Sequence, residues 1–180
     1  MIERALREDG LERGQLEVLV IGRGPGSYTG IRVALAVAQG WQLAAPGRGV
    51  KLVGISSVEA VAAQAQVEGM RGRVNVVVDA QRNELYLAAY EISDDSWKEV
   101  APLSILPLED IKLRVDARDG LVGPEVTRWF SEGRTIYPRA AMLGQLALDR
   151  HDFMAEDRLE PIYLREIEFV KTALRRPTMP

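Results

Sequence analysis

The chain has 180 residues, 47% apolar and 27% charged, with 23 basic against 26 acidic side chains and a net charge of −3. That balance suits one globular domain or two small lobes sharing a core. There is no cysteine and no dense basic run, which excludes a disulfide framework, a thiol nucleophile, cysteine-ligated metal and binding driven by neutralising a nucleic-acid backbone.

In chain order, MIERALRED reads as a short helix with Met1, Ile2, Ala5 and Leu6 along one side and Gly10 as its stop. Its charges leave no apolar core for a signal peptide. LEVLVI at 16–21 is a short apolar run between polar residues and glycine, hence a buried strand. A glycine-rich turn follows, where Ser27 or Thr29 can cap a helix that runs to about Ala45 and stops at Pro46 and Gly47. That helix is too short, and too interrupted by Arg32, Gln39 and Gln42, to span a bilayer. The protein is therefore expected to be soluble and cytoplasmic, without membrane contact. KLVGI at 51–55 is a second strand, and Ser56 with Glu59 forms a capping box for a helix to about Gln66.

RVNVVVDA at 73–80 is a strongly apolar strand, QRN a turn, and ELYLAAYEI its alternating antiparallel partner. Residues 93–118 predict short strands and a helical turn near 108–113. GLVG at 120–123 is a strand, and Pro124 at a first helical position opens a helix in PEVTRWFSEG. RTIYP is a short strand; RAAMLGQLALDR is a helix burying Ala141, Leu143, Leu146 and Ala147. EPIYLREIEFVK is extended and packs back on the body, and RRPTMP frays. Strands and helices alternate around a central hairpin, which predicts α/β with a mixed sheet and helices on its faces.

The turn in IGRGPGSYTG invites a chemical reading. No lysine precedes Lys51, so it is not a P-loop. Ser27 or Thr29 stands where the third glycine of a dinucleotide fingerprint belongs. An anion site on the helix start, at Gly26, Ser27 and Thr29, stays open beside a purely structural turn. A nucleophile elbow needs glycine two before and two after the serine, where Ser27 has Pro25 and Thr29. The one histidine, His151, lies in the polar stretch DRHDFMAED and reads as a surface residue rather than a base or metal ligand. Asp94 with Asp95, or Asp110 with Asp116, reads as solvated carboxylates more readily than as a cation site. Trp41, Trp97 and Trp129 read as core or contact residues.

The helix after the turn says more. Over 31–45 its clearly polar residues, Arg32, Gln39 and Gln42, fall within about 80° of one another at about 100° per residue. The remainder is apolar and includes the small residues Ala34, Ala36, Ala38 and Gly40. Such a helix is either buried deep in its own domain or packed between its own core and a partner.

These stretches carry a resemblance. GRGPGSYTGIRVALAVAQG, LVGISSVEAVA, VVVDAQRNELYLAAYE and EPIYLRE resemble, in the same order, the motifs of the TsaB (YeaZ) family. The motif residues matched are Gly22, Gly24, Pro25, Gly26, Ser27, Thr29, Gly30, Arg32, Asp79, Tyr163 and Arg165. The resemblance implies an actin/Hsp70/sugar-kinase-like (ASKHA) fold, with an incomplete N-terminal lobe over 1–70 and a second lobe over 71–180. It implies a role in making N6-threonylcarbamoyladenosine at position 37 of tRNA, as a non-catalytic partner of the transferase TsaD. The ATPase TsaE joins that pair, TsaC supplies threonylcarbamoyl-AMP, tRNA is met only indirectly, a homodimer is an alternative, and no cofactor is held. The family pairs through a helix bundle, placed here on helices 1–9 and 27–45, with Ile2, Leu6, Ile31, Ala34, Ala36, Ala38, Gly40 and Trp41 as interface residues. Its members usually open with a strand bearing a D-T-S-like pattern and a hairpin, which have no counterpart before MIERALRED, so LEVLVI is expected to show an open edge.

Two other functions are weighed against that one. An ATP-binding or ATP-hydrolysing ASKHA enzyme would use the glycine turn and bring Asp79 to magnesium, whereas a structural Asp79 would shape the hairpin together with Asn83. A peptidase, suggested by an older family label, finds no catalytic constellation. Tyr163 and Arg165 receive no chemical role from the sequence.

Overall fold

The computed structural model describes residues 2–44, 49–148, 150, 153 and 159–165. Met1, Ala45, Pro46, Gly47, His151 and the RRPTMP stretch lie outside the described residues, so the expectations placed on them stay as stated.

The chain opens with helix α1 (Ile2–Glu8), stopped at Gly10 as the sequence predicts, with the Leu11 N–H returning to the Leu6 carbonyl at 2.8 Å. Strands β1 (Val18–Gly22) and β2 (Lys51–Ile55) pair in parallel. Between them runs helix α2 (Tyr28–Leu43). Leu19, Ile21 and Leu52 turn to α2 and pack on Ile31, Leu35 and Ala38. Among the described residues β1 has β2 as its only strand neighbour.

Five strands form the second sheet, in the order β5 (Trp97–Pro107), β4 (Glu84–Ile92), β3 (Gly72–Asp79), β6 (Gly120–Gly123), β7 (Arg134–Thr135). β3 is antiparallel to β4 and parallel to β6, the mixed sheet that the sequence pattern predicts. Helix α3 (Ser57–Val67) covers one face. Val58, Val61, Ala62 and Ala65 sit on Val74, Val76, Val78, Ala88 and Tyr90. Its other side, Ala60 and Ala63, meets Met142 of helix α5 (Ala140–Ala147). Small side chains on both sides let α3 lie close to two neighbours, which bury Val58 and every residue from Ala60 to Ala65. Helix α4 (Leu108–Arg114) closes the opposite face through Ile111, beside Val77, Leu85 and Val126.

Four expectations fail locally. Residues 93–107 hold one long strand rather than short ones; β4 and β5 slip register around Ala89, and that irregularity breaks the alternation. Pro124 does not open an α-helix, because Glu125 adopts left-handed φ 57° and only a 3-10 turn, Val126–Arg128, follows. Ser56 does not cap α3. Its hydroxyl donates instead to the Gly24 carbonyl at 3.4 Å, and Glu59 pairs with Arg150. In α5 only Met142 is buried; Ala141 is exposed and Leu143, Leu146 and Ala147 are half-buried, since the helix rests on α3 and β1 along a narrow stripe.

Tyr90, 2% exposed, has its hydroxyl 3.5 Å from the Glu99 carboxylate. Burial first, then the charges of Glu99 and Glu59, hold its phenol well above the usual 10.0. The native state therefore keeps a proton that the unfolded chain releases from about pH 10 upward, so this group's contribution is complete below pH 10 and declines above it. Urea midpoints between pH 9 and 11 should fall more steeply for the wild type than for Tyr90→Phe.

Candidate partner interface

The turn that leads into α2 is built tightly. Arg23 continues the strand pairing by donating its N–H to the Ile55 carbonyl at 2.8 Å. Gly24 takes φ +91°, a conformation that favours glycine, and a Cβ there would come within 2.7 Å of Ile31 Cδ1, which would have to swing aside. Its carbonyl accepts the Ser57 N–H at 2.8 Å and so ties the turn to the start of α3. The Gly24–Pro25 bond is cis. Of the two capping candidates, Ser27 is the one used: its Oγ accepts the Gly30 N–H at 3.2 Å. Gly26, Ser27 and Thr29 are all exposed at this helix start.

α2 itself lies half outside its own protein. Of its sixteen residues only Leu35 and Ala38 are buried. Thr29, Val33, Ala36, Val37, Gly40 and Leu43 are exposed and fall within about 120° of one another around the helix axis. Val33 is 58% exposed and Leu43 68%. Arg32 is the single charged residue of the helix and stands on the flank, its guanidinium over the Tyr28 ring at 4.5 Å. Gln42 turns inward, where its Oε1 is buried without a hydrogen-bond partner.

The residues assigned to an interface from sequence divide accordingly. Ala34, Ala36 and Gly40 are exposed, Ile2, Ile31 and Trp41 are half-buried, and Trp41 lies under the Arg13 guanidinium at 4.6 Å. Ala38, 2% exposed, and Leu6, 9% exposed, face into the chain's own core and offer no surface. Val33, Val37 and Leu43 join the exposed side, and the sequence does not separate them from Ile31, Leu35 and Ala38, which share the same three- and four-residue spacing but turn inward.

The remaining motif residues sit elsewhere. Both Asp79 carboxylate oxygens engage Gln81, accepting its N–H at 2.7 Å and its Nε2 at 2.9 Å. The aspartate thus shapes the β3–β4 hairpin, whose tip residues Gln81, Arg82 and Asn83 are all left-handed. Asn83 contributes its carbonyl, which accepts the Leu108 N–H at 3.1 Å. Among the described residues no group of three or more His, Asp or Glu side chains is placed to hold a metal, and Asp94 is paired with Arg71 at 2.6 Å. No helix among them is long and apolar enough to cross a membrane. Tyr163 stacks near Tyr28 at 5.7 Å, and Arg165 reaches Glu84 at 2.6 Å, a partner the sequence did not suggest.

A family model described as TsaD, tRNA N6-adenosine threonylcarbamoyltransferase, matches residues 1–153. The tRNA threonylcarbamoyladenosine biosynthesis protein TsaB of Escherichia coli is 26% identical across 92% of this chain and 78% of its own length. TsaB of Haemophilus influenzae is 29% identical across 92% and 77%. Among solved structures, YeaZ from Pseudomonas aeruginosa superposes with a TM-score of 0.76 at 24% identity, covering 91% of this chain and 82% of that one. The fold is that of YeaZ, an α/β arrangement of mixed sheets with flanking helices.

Proposed function

The chain belongs to the TsaB/YeaZ family of tRNA threonylcarbamoyladenosine biosynthesis proteins, and on that footing we propose that it acts as a non-catalytic subunit that docks TsaD through the outward face of α2. One observation carries the reading: sixteen helical residues with one charge, and an exposed stripe of Thr29, Val33, Ala36, Val37, Gly40 and Leu43. A stripe of this kind, left in water, forgoes about 1.5–3 kcal/mol for each large apolar side chain that a partner could bury completely. Alanine and glycine in its middle allow another helix to approach closely. The half-buried Trp41 stands at the edge of the same stripe, and Ile2 of α1 is assigned to the docking surface on the family resemblance alone. TsaE meets the chain through the pair, and tRNA through TsaD. The single histidine of the chain supports a non-catalytic role, since histidine-rich metal chemistry has no ligand set here.

Sedimentation of the chain with the TsaD protein of the same cell, followed by hydrogen exchange on the mixture, tests the docking. A one-to-one complex with new protection across α2 is the expected result. Free sedimentation of both proteins, or protection confined to the five-stranded sheet, overturns it. Calorimetry with ATP and magnesium on the isolated chain should show no tight binding; heat from micromolar affinity would transfer the assignment to the ATP-binding enzyme.

A further inference from the structure

Residues 159–165 run without helix or strand across two parts of the molecule, and each of their attachments is specific. Leu159, 3% exposed, is buried with Ile21, Leu35, Ala38 and Leu52 beneath α2. The Glu160 carbonyl accepts Arg23 Nε at 2.8 Å, and the Ile162 N–H donates to the Arg23 carbonyl at 2.9 Å. The Tyr163 ring lies 5.7 Å from that of Tyr28, the first residue of α2. Arg165 Nη2 then donates to the Ala80 carbonyl at 2.9 Å and to Glu84 Oε2 at 2.6 Å, on the β3–β4 hairpin.

We propose that this segment is a strap coupling the hairpin to the start of α2, with the Arg165–Glu84 pair as its clasp. Ordering an irregular segment costs entropy at every residue, so its position depends on the few bonds at its ends. The hairpin end is firm, because Asp79 holds Gln81 from both oxygens. At the other end Arg23 and Tyr28 bracket the glycine turn, so a fastened strap holds that turn and the first turn of α2 in place. A change at Ala80–Glu84 is thereby felt at α2, whatever partner α2 meets. This gives Tyr163 and Arg165 the roles that the sequence withheld.

Amide hydrogen exchange on the full chain tests the coupling. Arg165→Ala should speed exchange about tenfold or more at Ile162 and also at Gly30 and Ile31, whose N–H groups bond to Ser27, while the β3 amides stay as slow as in the wild type. Glu84→Ala, at a half-exposed side chain, should speed the same amides by a smaller factor and serves if the arginine variant folds poorly. Faster exchange at Ile162 alone, with Gly30 and Ile31 unchanged in the variants, overturns the proposal: the segment would be attached to α2 without holding it. Unchanged exchange at all three overturns the clasp.

Discussion

Gly40→Arg should lose at least about 100-fold in affinity for TsaD while leaving the isolated chain as stable as the wild type or more so. The two halves of that expectation come from different physics. A Cβ at Gly40 meets no atom within 4 Å, so the longer side chain has room in the free protein. Glycine is the second-worst residue for a helix interior, and replacing it there recovers up to about 1 kcal/mol. In the complex, a guanidinium would sit amid Val33, Ala36, Val37 and Leu43, on the stripe with no acidic residue of its own. Burying it unpaired costs several kcal/mol, and about 2.8 kcal/mol already makes the factor of 100.

Ala36→Arg, also exposed, should behave the same way. Thermal melting of each variant beside a pull-down against TsaD separates the effects. A variant that melts normally and still binds would remove α2 from the interface. A variant that fails to bind because it is unfolded would reveal itself in the melt.

What the sequence made legible follows from how local each determinant is. α2 could be read as a helix with surplus apolar surface because Arg32 is its only charge, whereas the enclosure of α3 could not, because Glu59, Gln64 and Gln66 interrupt its alanines and valines. Which side of α2 faces inward could not be read in the same way. When nearly every position is apolar the pattern has no preferred direction, so Ala38, expected at the interface, is instead buried by β1, β2 and Leu159. Leu6 differs in cause: α1 has a clear polar side in Glu3, Arg4, Arg7 and Glu8, and its own chain, rather than a partner, covers Leu6 on the other. The failed cap at Ser56 has another cause. A carbonyl 32 residues away, at Gly24, competes for its hydroxyl, and nothing in SSVE announces it. The Arg165–Glu84 pair, 81 residues apart, is beyond any local pattern.

Gly123→Ala should be the most damaging single methyl group added to this chain, lowering stability by more than about 4 kcal/mol. Gly123 takes φ +150°, and a Cβ there would run into the Val77 carbonyl of β3. Backbone has little freedom to retreat here: Val76 pairs with Val122 immediately before, and the Gly123 carbonyl accepts the Ile136 N–H at 3.3 Å. The collision would part β3 from β6, at the centre of the larger sheet, and displace Val126, which is fully buried against Val77, Leu85 and Ile111. For a domain of this size each kcal/mol moves the melting temperature by about 2–4 °C, so a fall of about 8 °C or more is expected, if the variant accumulates in soluble form at all. Gly144→Ala supplies the control. It lies inside α5 where a Cβ meets nothing within 4 Å, and it should hold or raise the melting temperature. Equal behaviour of the two variants would mean that β6 does not pack against β3 as described, and with it would go the sheet on which the hairpin and the clasp at Glu84 are mounted.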